Sequence, residues 1–128
     1  MAYVIDKEIW DMDEIFQFNP EINDTIGEYD IFINIRNTTE YNFSNIFLFV
    51  TIATPDNKMF TDTVEGFLAD YKGNWLGKGS GKYKSNTFLY KTMRFQTAGT
   101  FVFLIEHAMR EEKLHGIQNI GINIKPRN

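Results

Sequence analysis

Residues 28–53 read EYDIFINIRNTTEYNFSNIFLFVTIA, two apolar runs separated by a polar break. The first, Glu28 to Arg36, alternates strictly. Tyr29, Ile31, Ile33 and Ile35 fall on one face, and Asp30, Phe32, Asn34 and Arg36 on the other. A period of two is the mark of a strand with one buried face. The second run, Asn45 to Ala53, is apolar at nearly every position, which predicts a central strand covered on both faces.

The same pattern recurs outward in both directions. IFQF (Ile15 to Phe18), MFTDTVE from Met59, NTFLYKTMRF (Asn86 to Phe95), TFVFLIEHA (Thr100 to Ala108) and IGINIKP (Ile120 to Pro126) read as further strands, with NPEINDTIG and TPDNK as turns between them. EGFLADYKG is predicted as one helical turn ended by Gly73, and MREEKLHG as a short helix closed by Gly116. Without long helices between the strands, a parallel sheet is excluded. The expectation is one domain over residues 1–128, an all-β antiparallel β-sandwich, jelly-roll or Ig-like, of about 7–9 strands with one or two short helical turns.

Composition agrees with this. A chain of 128 residues supports one sizeable core, and 43% hydrophobic with 16% aromatic content suits strands. The net charge of −4 argues against nucleic acid or an anionic membrane surface as the main partner. There is no cysteine, which removes disulfides, thiolate metal ligands and cysteine nucleophiles together. No apolar run approaches the roughly 18 residues of a membrane-spanning helix. The opening MAYVIDKEIW lacks the organisation of a signal peptide, so the expectation is a cytosolic protein or a mature form freed of its leader.

The segment GNWLGKGSGKYKS, Gly73 to Ser85, holds four glycines and invites a phosphate-binding reading. Its lysines do not follow the glycines at the spacing of a phosphate loop, and G-x-G-x-x-G is not met either. What remains is its aromatic content. Trp75, beside Tyr71 and Tyr83 in a loop shaped by Gly73, Gly77 and Gly79 and kept soluble by Lys78, is a candidate binding tip for a glycan or a protein. The alternative is that Trp75 folds back onto the core, as large aromatics usually do. Trp10, next to an alternating segment, is expected in the core on the same ground.

Metal chemistry has one candidate. His107, Glu111 and His115 fall at i, i+4 and i+8, and would share a face if the segment were one helix. Glu112 to His115 also matches half of an E-x-x-H carboxylate-metal motif, but no second E-x-x-H and no HExxH occur, so a solvated charged helix outweighs a metal site. No cofactor is implied. No G-x-S-x-G elbow occurs, and acidic pairs on an acidic domain are expected without catalysis, so an enzyme is not expected. Arg36 and Asn37 end a strand, and Arg36 is read as tying the Thr38 to Asn45 loop to the sheet through its donor fork.

Three segments in series, IRNTTEYNFSNIFLFV, GNWLGKGSG and HAMREEKLHGIQNIGINI, resemble the GldH family of gliding-motility lipoproteins of the Bacteroidetes. The positions carrying the resemblance are Arg36, Asn37, Tyr41, Asn45, Gly73, Trp75, Gly77, Gly79, Met109, Arg110, Leu114, Gly116, Ile117 and Gly121. The resemblance spans roughly Trp10 to Ile124. It implies a noncatalytic cell-envelope lipoprotein, anchored at the outer membrane through a lipidated cysteine that this sequence does not contain. Its partners would be other envelope proteins of the gliding machinery. O-glycans at Asp-Thr-aliphatic sites, which the resemblance also brings, would fall on Thr25 and Thr63. A carbohydrate-binding module using the loop aromatics is the alternative from a different class.

Overall fold

The computed structural model describes residues 1–127. Among them are twelve strands, every pairing antiparallel. In chain order these are β1 (Ala2–Val4), β2 (Ile9–Asp11), β3 (Phe16–Phe18), β4 (Glu21–Ile22), β5 (Tyr29–Thr38) and β6 (Asn45–Ala53). The second half returns through β7 (Met59–Phe67), β8 (Tyr83–Met93), β9 (Gly99–Thr100), β10 (Val102–His107), β11 (Lys113–His115) and β12 (Ile117–Pro126).

The pairing is nested. β6 and β7 form a hairpin through the turn at 54–58, and β5·β8, β4·β9, β3·β10, β2·β11 and β1·β12 follow outward from it. This two-stranded ribbon folds back on itself where β12 meets β5 and β10 meets β6, giving sheets ordered β1-β12-β5-β8 and β3-β10-β6-β7. Such a wrapped ribbon is a jelly roll, which decides between the two expected sandwich types. The short pairs β2·β11 and β4·β9 are the corners where the ribbon crosses between sheets.

Side chains from the two inner faces make the core. Ile31, Ile33 and Ile35 of β5 with Ile120 and Ile122 of β12 belong to one buried cluster with Ile46, Leu48, Val50 and Ile52 of β6, Phe103 and Ile105 of β10, and Phe16 and Phe18 of β3. Each fully buried residue of this size contributes about 1.5–3 kcal/mol of transfer free energy. Trp10 is completely buried, as expected, and its indole N–H donates to the Glu14 carbonyl at 2.9 Å.

Three expectations are corrected. The segment MREEKLHG is not a helix: Lys113–His115 is a strand whose Leu114 pairs with Trp10, because burying Leu114 beside that indole outweighs the helical spacing of the charges. EGFLADYKG is not a helical turn either, since β7 continues through Phe67 and the chain then enters a tight hairpin. The helical turn among the described residues lies elsewhere, a 3-10 turn at Asp6–Glu8. Lastly, β6 is central but covered on one face only: Phe47 and Phe49 point outward, 36% and 39% exposed.

Candidate functional site at one end of the sandwich

The glycine-rich segment resolves into two small hairpins. In the first, Leu76 N–H donates to the Leu68 carbonyl, Asp70 N–H donates to the Asn74 carbonyl, and Ala69 bridges Trp75. The Asp70 carboxylate caps the turn by accepting the backbone N–H groups of Asn74 and Lys72, each at 2.9 Å. Its bonds with Asn74, the largest cause, hold that carboxyl below the usual carboxylate range. In the second hairpin Lys78 and Ser85 exchange two backbone hydrogen bonds at 2.8 and 2.9 Å, extending the β8 edge. Gly79 at its turn has φ +132, and a Cβ there would stand 2.6 Å from the Tyr83 carbonyl oxygen.

The three loop aromatics take different roles. Trp75 is half-buried and packs against the core. Tyr83 donates its hydroxyl to the Glu8 carboxylate at 2.7 Å, and that bond raises the phenol above its ordinary pKa. Tyr71, at the tip of the first hairpin, is 93% exposed. The aromatic ring pairs among the described residues do not join any two of the three.

Around these hairpins several residues of the three quoted segments, among them Asn37, Tyr41, Asn45, Gly77 and Gly116, lie at the end of β5 and the starts of β6, β8 and β12. Gly77 lies so near Asn86 that a Cβ would stand 2.8 Å from its side-chain oxygen. Asn86 donates to the Asn37 side-chain oxygen at 2.9 Å and to the Ile35 carbonyl at 3.1 Å, and Asn37 donates onward to the Thr38 carbonyl at 3.0 Å. Asn37, opposite Ile117, thus joins β5 to β8 through Asn86. The exposed Arg36 reaches across to the Ser85 hydroxyl at 3.2 Å, on the next strand and not in the Thr38 to Asn45 loop.

Gly116 closes the same end. Its φ is +96, and an added Cβ would lie 2.7 Å from the Tyr41 Cα, so neither conformation nor space admits a side chain. Its carbonyl accepts Thr38 N–H at 2.8 Å. Tyr41, 4% exposed, donates its hydroxyl to the Asn45 carbonyl at 2.7 Å, and burial pushes its phenol far above the ordinary value. The Met109 sulfur accepts Phe47 N–H at 3.2 Å, whereas Arg110 is exposed. Gly121 is farther along β12, opposite Ala2.

His107, Glu111 and His115 do not converge. His107 is buried on β10, where Nδ1 accepts Met109 N–H at 3.2 Å and the ring lies edge-on to Trp10, while Glu111 and His115 face solvent. Among the described residues no group of three or more potential metal ligands forms. Thr25 is half-buried in a turn capped by Asp24, and Thr63 is exposed on β7. A recess of about 360 Å³ at the opposite end, lined by Phe60, Met93, Arg94, Phe95 and Phe101 among others, holds none of the residues singled out from the sequence.

Sequence reasoning missed Asn86, although a signal existed: in the alternating NTFLYKTMRF it is polar at an inward position. It also missed the open face carrying Phe47 and Phe49, which no periodicity reports.

The pattern of the family described as GldH lipoprotein matches residues 2–124. A relative from Christiangramia forsetii, named a gliding motility lipoprotein GldH homolog, is 35% identical over 124 residues, covering 91% of this chain and 76% of the relative. The gliding motility lipoprotein GldH of Flavobacterium johnsoniae is 32% identical over 124 residues, covering 91% and 77%. Matched by the family pattern over nearly its full length and 32–35% identical to two named members, this chain belongs to the GldH lipoprotein family.

Proposed function

We propose that this chain is the noncatalytic domain of a gliding-motility lipoprotein, held at the outer membrane by its lipid, and that it works by binding other envelope proteins of the gliding machinery. The names of its relatives support the process. The observation that supports a binding role is the outward face of β6. Phe47 and Phe49 stand there one strand repeat apart, open to solvent, with Glu65 and Glu106 directly beside them on β7 and β10. An aromatic pair on a central strand, rimmed by carboxylates, fits a partner surface that is apolar at its centre and basic at its edge. At the motif-bearing end Asn37, Thr38 and Asn86 spend their side-chain hydrogen bonds on the fold itself, which supports an architectural reading of those residues.

In a lipidated version expressed in a gliding relative, a photo-crosslinking amino acid at position 49 tests this against the same group at position 123, which is exposed on the other sheet. The expected result is a discrete cross-linked envelope protein from position 49 only, lost when Phe47 becomes Ser. Equal capture from both positions, or none from position 49, removes the reading. For a glycan or a second protein contact, Tyr71 is the loop aromatic left free, and Tyr71→Ala is the variant to place on a glycan array.

A further inference from the structure

The two sheets leave four edge strands, and three of them are blocked. β1 and β3 are three residues long, and Tyr3 crosses between them to donate its hydroxyl to the Gln17 carbonyl. The β8 edge is paired to Lys78 at Ser85, and Tyr90 makes a bulge opposite Ile31 and Phe32. β7 differs. It runs nine residues, MFTDTVEGF, without lysine, arginine or proline, and pairs on one side only, with β6. Among the described residues its other backbone edge makes no main-chain hydrogen bond, and the pairing resumes only beyond it, where Leu68 and Ala69 meet Leu76 and Trp75. A long free edge of threonine, valine and aromatic residues is a template for another strand.

We propose that β7 is the dimerisation edge of this protein, pairing antiparallel with β7 of a second copy about a two-fold axis at Thr63. The sequence of β7 is self-complementary in that register. On the outward face Met59 stands opposite Phe67 of the second copy, Thr61 opposite Glu65, and Thr63 opposite itself. On the inward face Phe60, 56% exposed in the single chain, stands opposite Gly66 of the second copy, over which Phe88 of that copy already packs, and Asp62 stands opposite Val64. No like charges stand opposite, and the two large exposed apolar residues at the strand ends, Met59 at 65% and Phe67 at 56%, cover each other. The Asp62 charge is answered within its own chain, by the Tyr90 hydroxyl at 2.6 Å and the Lys91 ammonium at 2.9 Å. The contact is isologous and closes at two copies. It joins two four-stranded sheets into one of eight and sets both Phe47–Phe49 pairs on a single surface. This inference stands independently of the binding role proposed for that face. A sugar on Thr63 and this pairing exclude each other, because the side chain lies on the axis.

The test uses the unmodified full chain in sedimentation velocity over a concentration series, with four variants of exposed residues whose melting is checked at dilution. Wild type is expected to pass from monomer to dimer. Thr63→Lys sets two lysines opposite each other and weakens association about fivefold, whereas Thr61→Lys faces Glu65 of the second copy and tightens it by a similar factor. The chain has no cysteine, so Thr63→Cys alone reports the axis: it is expected to form a disulfide dimer under mild oxidation, and Thr61→Cys is not. A chain that stays monomeric at the highest attainable concentration overturns the proposal. So does a dimer that Thr61→Lys and Thr63→Lys affect alike, or one that Thr63→Cys fails to cross-link.

Discussion

The Asn86 side chain donates to the Asn37 side-chain oxygen at 2.9 Å, and both residues are buried, on strands β8 and β5 that the rest of the sheet treats as ordinary neighbours. Asn86 also serves the carbonyls of Ile35 and Lys84, so its removal strands several buried acceptors at once.

Asn86→Leu is accordingly expected to cost about 1–3 kcal/mol, the desolvation of buried groups left without partners. Urea unfolding at neutral pH measures it. Loss below a few tenths of a kcal/mol would mean that the network contributes nothing net.

Gly116→Ala should destabilise by a similar amount, about 1–3 kcal/mol, through its positive φ and the collision with Tyr41. Gly73, also at positive φ but with open space around it, separates the two causes. If Gly73→Ala is as damaging as Gly116→Ala, crowding against Tyr41 is not the reason.

The two tryptophans are predicted to differ. Trp10→Phe removes a fully buried indole and its hydrogen bond to Glu14, whereas Trp75→Phe trims a half-buried one and should cost only about 0.5–1.5 kcal/mol. In Trp75→Phe the remaining emission should be blue-shifted and resistant to acrylamide. A red-shifted, quenchable remainder would contradict the buried placement of Trp10.

His107 predicts a pH dependence. Burial lowers its pKa below the ordinary 6.5, against weaker opposing influences from the Trp10 and Glu112 backbone and from Asp11 and Glu106. The folded state therefore prefers the neutral ring. Its contribution is complete above pH 6.5 and is lost as the pH falls below that value, where the unfolded chain takes up a proton that the folded one refuses. The lowered carboxylates Asp11, Asp24, Asp56, Asp62 and Asp70 act only further down, below their ordinary 3.8. Chemical denaturation between pH 7.5 and 5 should show falling stability in the wild type and a flatter profile in His107→Gln. Parallel profiles would assign the slope to other groups.

The alternation of Glu28 to Arg36 was enough to predict β5 and its buried face, because a period of two follows directly from strand geometry. Asn45 to Ala53 misled in one respect: an apolar residue reports affinity for a partner surface, and sequence does not say whether that surface lies within the same chain. The corner strands were not legible, since two or three residues carry no period. In β11 the charges spaced at i, i+4 looked helical, and the pairing of Leu114 with Trp10, more than a hundred residues apart in sequence, overrode them. At the site the conspicuous glycines were visible, whereas the buried amide that needs Gly77 to be small lay thirteen residues after the first of them.

The nested ribbon also fixes an order of assembly. Only β6·β7 joins strands close in sequence, and each pair outside it must close a longer loop than the last. Topologies dominated by such distant contacts fold slowly, on the order of milliseconds to seconds. Synthesis runs against this order, because β1 emerges first and pairs with β12, which emerges last and must insert between β1 and β5. Until it does, Ile31, Ile33 and Ile35 belong to a sheet that lacks a central strand, and a chain shortened before residue 117 keeps only the β5·β8 pair of that sheet and leaves β1 without its partner.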